Sequence, residues 1–206
     1  MLRFRMEIAM NNEYVHELRK KVKKEFKKDK SRYWHTIGVA QTAANLAMCY
    51  EVDIEKAFVA GLLHDCAKCY TNEQLLYYCL EYQIEINEYE QASPYLLHSK
   101  LGAYFAKNKY DIEDEDISNA ILFHTTGRPN MSKLEEIIFI ADYIEPYRNR
   151  ADNLDIIRKL AYKDIKKAIL KATQDTLDYL RKKGKEQFID ALSVQTYEYY
   201  KEQCRE

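Results

Sequence analysis

The chain has 206 residues, with 32 lysines and arginines against 33 aspartates and glutamates, and a formal net charge of −1 at pH 7. This balance argues against a general attraction to nucleic acid or to an anionic membrane, and no apolar run approaches the roughly 18 residues of a membrane span. Because only 5 glycines and 3 prolines are available for turns, the composition predicts helices joined by short loops and not a sandwich or barrel of short strands.

The N-terminal segment and the cysteines indicate a cytoplasmic protein. Residues 1–14 contain neither the sustained apolar segment nor the small-residue cleavage site of a secretion signal. Five cysteines, an odd number, are then expected to be thiols in a reducing compartment. Cys66 and Cys69 have the C-x-x-C spacing of redox or zinc pairs, but no second pair and no βαβ pattern accompanies them, so we predict no thiol chemistry there.

Helical patterns begin near the N-terminus and continue along the chain. Apolar residues at helical spacing predict an amphipathic helix over residues 13–28, and we interpret its basic run as a solvated face. An alanine-rich segment predicts a second helix over 34–50. Asp53 is the expected N-cap of a third helix that ends at a His-Asp pair, and Thr71 with Gln74 resembles a capping box that opens a fourth.

The second half of the chain continues this pattern after an irregular connection over 84–98 that contains Pro94. Ser132, followed by Glu135 three residues later, resembles another helix start. Helices are expected over about 99–109, 113–123, 132–145, 151–182 and 193–204. We therefore predict an all-α fold in one compact domain, formed by an N-terminal helix, a helical core and capping C-terminal helices over residues 1–30, 31–148 and 149–206.

Four histidines fall near the ends of predicted helices, and two aspartates accompany them. The six residues are His35, His64, Asp65, His98, His124 and Asp142. Asp142 stands in the apolar run IIFIADYIEP, where a carboxylate is costly unless it is paired or bound to a cation. Such side chains could converge in a bundle core, where metal sites are commonly built. Imidazole and carboxylate ligands suit zinc, iron, manganese or cobalt and hardly suit calcium.

Each of these residues, taken alone, has a simpler interpretation. His64 fits a hydrogen-bonded core histidine, and Asp142 fits an ion pair with Arg148. Lys68 fits a partner of a nearby carboxylate, and Arg148 follows a helix end, where a cation offsets the helix dipole. Six separate coincidences explain the whole set poorly. The set therefore predicts a metal site.

Three segments surround these residues: HDCAK at 64–68, HSKLGA at 98–103 and FHTTGRPNMSKLEEIIFIADYIEPYR at 123–148. The order of the residues resembles the HD superfamily of metal-dependent phosphohydrolases, and the three segments resemble the bacterial YqeK family within it. The resemblance is strong over roughly 30–150 and loose beyond. It implies an all-α HD-domain fold and the activity of a symmetrical bis(5'-nucleosyl)-tetraphosphatase, which hydrolyses diadenosine tetraphosphate to two ADP.

The resemblance also implies a role for each site residue. The ligands of one tightly held metal, iron in this family with manganese, cobalt and zinc as alternatives, would be His35, His64, Asp65 and Asp142. His98 and His124 would bind phosphate or complete a weaker second metal site. The catalytic residues would be Asp65, Lys68, His98 and His124. The substrate-binding residues would be Arg32, His35, Lys68, His98, His124, Thr125, Asp142 and Arg148.

Two other functions stay open at this point. One is a different HD nucleotide phosphohydrolase, such as a nucleotidase or a guanosine tetraphosphate hydrolase, and the other is a non-catalytic nucleotide-binding regulatory module. We expect a dinucleoside polyphosphate or another nucleotide such as ADP or GDP as ligand, and no nucleic acid or membrane. A homodimer is left open. Gly184, Lys185 and Phe188 are weaker candidates for nucleotide contact.

Overall fold

The computed structural model describes residues 12–149, 151 and 153–205, so the first eleven residues of the predicted 1–30 segment lie outside the described residues. Eleven α-helices and two 3-10 turns, at Pro94–Leu96 and Glu186–Phe188, form the described chain, which contains no strand. The prediction of an all-α fold is confirmed. The helices are α1 (Asn12–Glu25), α2 (Lys30–Cys49), α3 (Ile54–Leu63), α4 (Asn72–Glu81), α5 (Glu88–Ala92), α6 (Leu97–Lys109), α7 (Glu115–Leu122), α8 (Lys133–Ile144), α9 (Leu154–Ala161), α10 (Ile165–Lys182) and α11 (Ala191–Gln203).

The predicted helix starts follow the local capping chemistry. Asp53 accepts a hydrogen bond from the Lys56 backbone at 3.0 Å and begins α3. Thr71 and Gln74 form both hydrogen bonds of a capping box at the start of α4. α6, α7, α8 and α11 agree with the predicted ranges to within two residues at each end. Capping requires only neighbours in sequence, and this is why the pattern locates the starts of α3 and α4.

The first two helix boundaries differ from the prediction. The helix expected over 13–28 ends at Glu25, and α2 begins at Lys30 instead of residue 34. The cause is Asp29, whose side chain accepts a hydrogen bond from the Arg32 backbone at 2.9 Å and caps a new helix. The early start places Arg32 on the same helix as His35, one turn away.

Two further predictions of local structure are corrected. The helix expected over 151–182 is two helices, because the chain leaves α9 after Ala161 and Asp164 caps α10 through the Lys167 backbone at 3.1 Å. The connection over 84–98 contains the short helix α5, which a capping box between Asn87 and Glu90 begins. In both places a polar cap interrupts or starts a helix that the apolar pattern alone does not reveal.

The core brings α2 and α3 into backbone contact. A Cβ atom on Gly61 of α3 would lie 2.8 Å from the Cα atom of Ala40 on α2, so only glycine permits this approach. α8 packs against α2, α3 and α7. The consequence is that His64, three residues after Gly61, lies beside His35. No helix in the described part of the chain has the length and apolar character that crossing a bilayer requires.

Candidate metal centre

Segments from five helices carry the predicted site residues to one interior point. Arg32 and His35 lie on α2, and the ends or edges of the other helices provide the rest. His64, Asp65 and Lys68 follow α3, His98 stands in the first turn of α6, His124 and Thr125 follow α7, Asp142 stands in the last turn of α8, and Arg148 lies in the turn beyond it. His64, Asp65, His98 and His124 are buried.

Three of the histidines are held in the same way. The Nδ1 atom of each lies within hydrogen-bond distance of the backbone carbonyl three residues earlier, at 2.7, 2.5 and 2.7 Å, for His64 with Gly61, His98 with Tyr95 and His124 with Ile121. A carbonyl can only accept, so Nδ1 carries the proton and donates. When such a ring is neutral, its Nε2 atom keeps its lone pair, which is the arrangement of a metal-ligating histidine.

His35 is held by a side chain that the sequence analysis did not identify. Its Nδ1 atom lies 3.1 Å from Oε1 of Glu145, which is 1% exposed and follows Asp142 by one helical turn. The same carboxylate accepts a hydrogen bond from the Tyr147 backbone at 2.7 Å. Arg158 donates to the backbone carbonyls of residues 144, 145 and 148 and so fixes this turn. In the sequence, the position of Glu145 three residues after Asp142 was the feature that could have identified it.

The first ligand group consists of His35, His64 and Asp142, whose nearest ligand atoms all lie within 4.8 Å of one another. Nε2 of His35 is 3.1 Å from Oδ1 of Asp142, and Nε2 of His64 is 3.9 Å from the same oxygen. The Nε2 atom of His64 is buried with no hydrogen-bond partner among the described residues, and that of His35 is buried with the Asp142 carboxylate beside it. A buried lone pair without a partner is costly, and a cation between the two rings and Asp142 would satisfy that of His64. This donor set fits a divalent transition metal.

Asp65 joins this group to a second one. Its Oδ2 atom lies 3.7 Å from Nε2 of His35 and 3.5 Å from Nε2 of His64, while its Oδ1 atom lies 3.3 Å from Nε2 of His98 and 3.6 Å from Nε2 of His124. The Nε2 atoms of His98 and His124 are 3.1 Å apart, with the Thr125 hydroxyl beside both. Two facing lone pairs repel unless a proton or a cation lies between them, so this second group also suits a cation or the oxygen of a ligand.

Three cations surround the two groups. Nη1 of Arg32 lies 2.6 Å from Oδ2 of Asp65, and Nη2 of Arg148 lies 2.7 Å from Oδ1 of Asp142. The ion pair between Asp142 and Arg148, which the sequence suggested as a simpler role for Asp142, is therefore formed as well. Lys68 forms no ion pair with a described carboxylate, and its Nζ atom lies 3.2 Å from both ring nitrogens of His98.

The pKa values of Asp65, Asp142, His64 and His98 shift toward the forms that bind a metal, whereas that of His35 shifts away from it. Burial opposes ionisation of Asp65 and Asp142, but neighbouring imidazole and guanidinium groups hold the pKa of both carboxyls well below their usual range. Burial lowers the pKa of His64, and burial together with Lys68 lowers the pKa of His98 to about 4. Burial alone would lower the pKa of His35, but the neighbouring Asp142 and Glu145 carboxylates outweigh it and raise this pKa to about 9.

The centre is open to solvent on the side of His35. A cleft of about 430 Å³ is lined by Asp29, Ser31, Arg32, His35, Glu145, Tyr147, Arg148 and Asn149. Arginine guanidinium groups at such an opening suit phosphate oxygens, which they can bind with two parallel hydrogen bonds. Of the proposed ligands, His35 lines this cleft.

Other predicted residues lie away from the ligand atoms. Gly184 ends α10 with φ +64° and has no atom within 4 Å of its Cβ position, and no described hydrogen bond or ion pair joins it, Lys185 or Phe188 to the centre. The C-terminal segment contacts the site through Thr196, which donates to the carbonyl of Thr126 at 3.1 Å.

All five cysteines are free thiols, and burial raises the pKa of Cys66. Ser132 begins α8 as predicted, because its hydroxyl accepts a hydrogen bond from the Glu135 backbone at 3.3 Å. The Glu135 side chain makes two hydrogen bonds to Arg128 and does not complete a capping box.

The comparisons with known proteins agree with this arrangement. Residues 32–147 match the family model of the HD domain. The chain is 41% identical over 163 residues to a symmetrical bis(5'-nucleosyl)-tetraphosphatase of Halalkalibacterium halodurans, covering 79% of this chain and 86% of the relative. It is 39% identical over 160 residues to the Bacillus subtilis protein of the same description, covering 77% and 84% of the two chains. The crystal structure of a predicted HD superfamily hydrolase involved in NAD metabolism, from Clostridium acetobutylicum, superposes with a TM-score of 0.86 at 39% identity over 92% of this chain and 97% of that one.

Proposed function

The chain belongs to the HD-domain family, and on this premise we propose that it is a metal-dependent phosphohydrolase that cleaves diadenosine tetraphosphate symmetrically to two ADP. The two tetraphosphatases described above are 41% and 39% identical to it over more than three quarters of its length. The observation that carries the proposal is that four imidazoles and two carboxylates meet at one interior point. Arg32, Lys68 and Arg148 lie beside them and provide the positive charge that binding of a polyphosphate requires.

The proposed ligands of the tightly held metal are His35, His64, Asp65 and Asp142. The buried Nε2 atom of His64, which has no hydrogen-bond partner among the described residues, and the Nε2 atom of His35 beside Asp142 support this assignment. When bound, a divalent metal supplies a more acidic water and a Lewis acid for the phosphoryl oxygens. We propose iron as the native metal, on the strength of the family resemblance. His98 and His124 are proposed as a weaker second site or as phosphate ligands, with Oδ1 of Asp65 facing both.

The reaction breaks the central anhydride bond. An oxygen atom from water forms a bond to one of the two central phosphorus atoms, and the bond between that phosphorus and the central bridging oxygen breaks. The bridging oxygen leaves with the second ADP, and a water proton passes to solvent or to a neighbouring base. Because negative charge develops on the phosphoryl and bridging oxygens, most of the rate enhancement must come from positioned positive charge.

The residues of the chain distribute that positive charge around the ligand atoms. Arg32 and Arg148 open onto the cleft and are proposed to bind the outer phosphates as they enter. Lys68 is half-buried beside His98, and burial lowers the pKa of its ammonium. We assign Lys68 and the imidazoles of His98 and His124 to the oxygens around the bond that breaks, with the Thr125 hydroxyl between the two rings.

Location and assembly stay proposals. All five cysteines are unpaired, which suits a reducing compartment, and we propose a cytoplasmic location. The division into segments 1–30, 31–148 and 149–206 and the open question of a homodimer also stay predictions. Limited proteolysis checks the segment boundaries, and light scattering coupled to gel filtration measures the mass of the particle in solution.

A product assay tests the function. The purified protein, loaded with iron or manganese, is incubated with diadenosine tetraphosphate, and the nucleotides are separated by ion-exchange chromatography. Symmetrical cleavage yields ADP as the only product. ATP together with AMP would show asymmetrical cleavage, and phosphate released only from a nucleoside monophosphate or from guanosine tetraphosphate would assign another HD activity. Absence of any turnover with each metal would contradict the proposal.

A further inference from the structure

Two exposed aromatic rings meet where Tyr147 lines the cleft. Trp34 is 52% exposed and Tyr147 is 58% exposed, and their ring centroids lie 6.2 Å apart at an interplanar angle of 45°. Trp34 directly precedes His35, and Tyr147 directly precedes Arg148. The ring of Tyr147 lines the cleft together with Arg32 and Arg148. Large aromatic faces therefore remain open to solvent beside the charged groups assigned to phosphate.

The position of Tyr147 is fixed by its backbone and by a glycine. Its backbone N–H donates to the buried carboxylate of Glu145 at 2.7 Å. A Cβ atom on Gly38 would lie 3.2 Å from Cδ2 of the Tyr147 ring, so the ring rests against the backbone of α2. An exposed ring that is already positioned loses little conformational freedom when it binds a flat ligand.

Exposed aromatic rings occur elsewhere on the described surface, so exposure alone does not identify a binding site. Tyr77 on α4, for example, is also 58% exposed and also contacts a second ring, that of Tyr78. Tyr147 differs from Tyr77 in its surroundings, because it lines a cleft together with Arg32, Arg148 and His35. An open aromatic face next to a phosphate-binding surface matches the two halves of a nucleotide, a flat base and a charged phosphate.

We propose that Trp34 and Tyr147 form a stacking site for one purine base of the nucleotide substrate. This proposal rests on the proposed function and extends it from the phosphates to the nucleoside. The base stacks on the exposed face of Tyr147, with Trp34 extending the aromatic surface, and the attached phosphates reach Arg148 and Arg32. Since every base has a π-face, stacking by itself accepts adenine and guanine alike.

The single tryptophan of the chain allows a direct binding test. Trp34 is the only residue of its type, so the indole fluorescence of the purified, metal-loaded protein reports on this site alone. Saturating ADP or GDP should quench the emission clearly more than saturating pyrophosphate, which carries the phosphates without a base. Equal changes with ADP and pyrophosphate, or no change with any of the three, would overturn the proposal.

Substitutions separate base binding from phosphate binding. Tyr147→Ala and Trp34→Ala should each weaken ADP affinity, the first by about tenfold or more, and leave pyrophosphate affinity unchanged in calorimetric titrations. Tyr147→Phe retains the ring and should retain ADP affinity. Tyr77→Ala, which removes an equally exposed and equally paired ring from α4, should change neither affinity. Far-UV circular dichroism checks that each variant is folded.

The outcomes distinguish this proposal from the proposed function. If Tyr147→Ala loses ADP and pyrophosphate affinity to the same extent, or loses neither, the stacking site is wrong even when the protein releases ADP from diadenosine tetraphosphate. If the protein binds ADP through the base but shows no turnover, the stacking site stands and the proposed reaction fails.

Discussion

His35 and Glu145, which are 110 positions apart in the sequence, meet with Nδ1 and Oε1 3.1 Å apart. The carboxylate holds the ring so that Nε2 faces Asp142 and His64, and it raises the electron density that the imidazole can donate to a metal. The other three histidines of the centre use backbone carbonyls for the same purpose. Glu145 is therefore a positioning residue for the proposed metal centre.

Replacement of this carboxylate should weaken metal binding without unfolding the protein. We expect Glu145→Gln to lower the affinity for Mn²⁺ by about 10–100-fold, the range seen when an outer partner of a ligating histidine is lost. Calorimetric titration of the metal-free protein measures the change. Glu90→Gln is the matched control, because Glu90 is also a buried carboxylate but pairs with Lys100. Equal affinities for Glu145→Gln and the wild type would contradict the role.

Gly38 should be needed for the same contact. A Cβ atom at this position would lie 2.5 Å from Oε2 of Glu145, closer than real Cβ atoms approach a neighbour. We expect Gly38→Ala to displace the carboxylate, to weaken metal binding and to destabilise the fold by about 1–3 kcal/mol. Gly102→Ala is the control, since it adds the same methyl group within a helix but meets its nearest atom at 3.4 Å. Thermal unfolding and metal titration should show that Gly38→Ala loses more stability and more metal affinity than Gly102→Ala. Equal losses in the two variants would argue against the need for glycine at position 38.

Metal affinity should depend on pH through His35. In the metal-free protein Asp142 and Glu145 outweigh burial and raise its pKa to about 9, so the ring is protonated at neutral pH. The metal binds only the neutral ring, and apparent affinity should rise by roughly tenfold per pH unit up to about pH 9, with release of about one proton. Titrations between pH 6 and 8 in buffers of different ionisation enthalpy count this proton. An affinity independent of pH would contradict the assignment.

The same pKa shift predicts how the metal-free protein responds to pH. The pKa of His35 in the folded chain is raised above its ordinary value of 6.5 to about 9. Its protonated form therefore contributes stability that is fully present below about pH 6.5 and is lost as the pH rises through 9. Chemical unfolding of the metal-free protein at pH 6 and pH 9 should show the decrease, and the decrease should be smaller in His35→Ala.

Asp65 should be the most sensitive position for activity. Its carboxylate faces Arg32 and all four imidazoles of the centre, so Asp65→Asn removes the charge that both ligand groups share. We expect ADP release to fall by more than the roughly 10–100-fold cost of losing an outer partner, while helical content is retained. Asp114→Asn, which keeps an acceptor at the start of α7, is the control and should leave activity unchanged. A fall limited to a few fold would exclude Asp65 from the centre.

Much of this protein follows from local rules that operate within a few residues. The paucity of glycine and proline and the helical spacing of apolar residues determine an all-α chain, and caps such as Asp53 and Thr71 determine where helices begin. Residue type determines the candidate ligands as well, because histidine and aspartate are costly inside an apolar core without a partner. The six residues of the centre could therefore be selected from the sequence alone.

The packing of the helices decided what those residues do to one another. Glu145 is one acidic residue among many in the sequence, and only the contact of α8 with α2 brings it to His35. The division of Asp65 between two pairs of imidazoles, and the meeting of Trp34 with Tyr147, likewise depend on segments far apart in the chain. Periodicity and capping report on neighbours a turn away, whereas these contacts depend on how closely the backbones of α2 and α3 approach at Gly61 and Ala40.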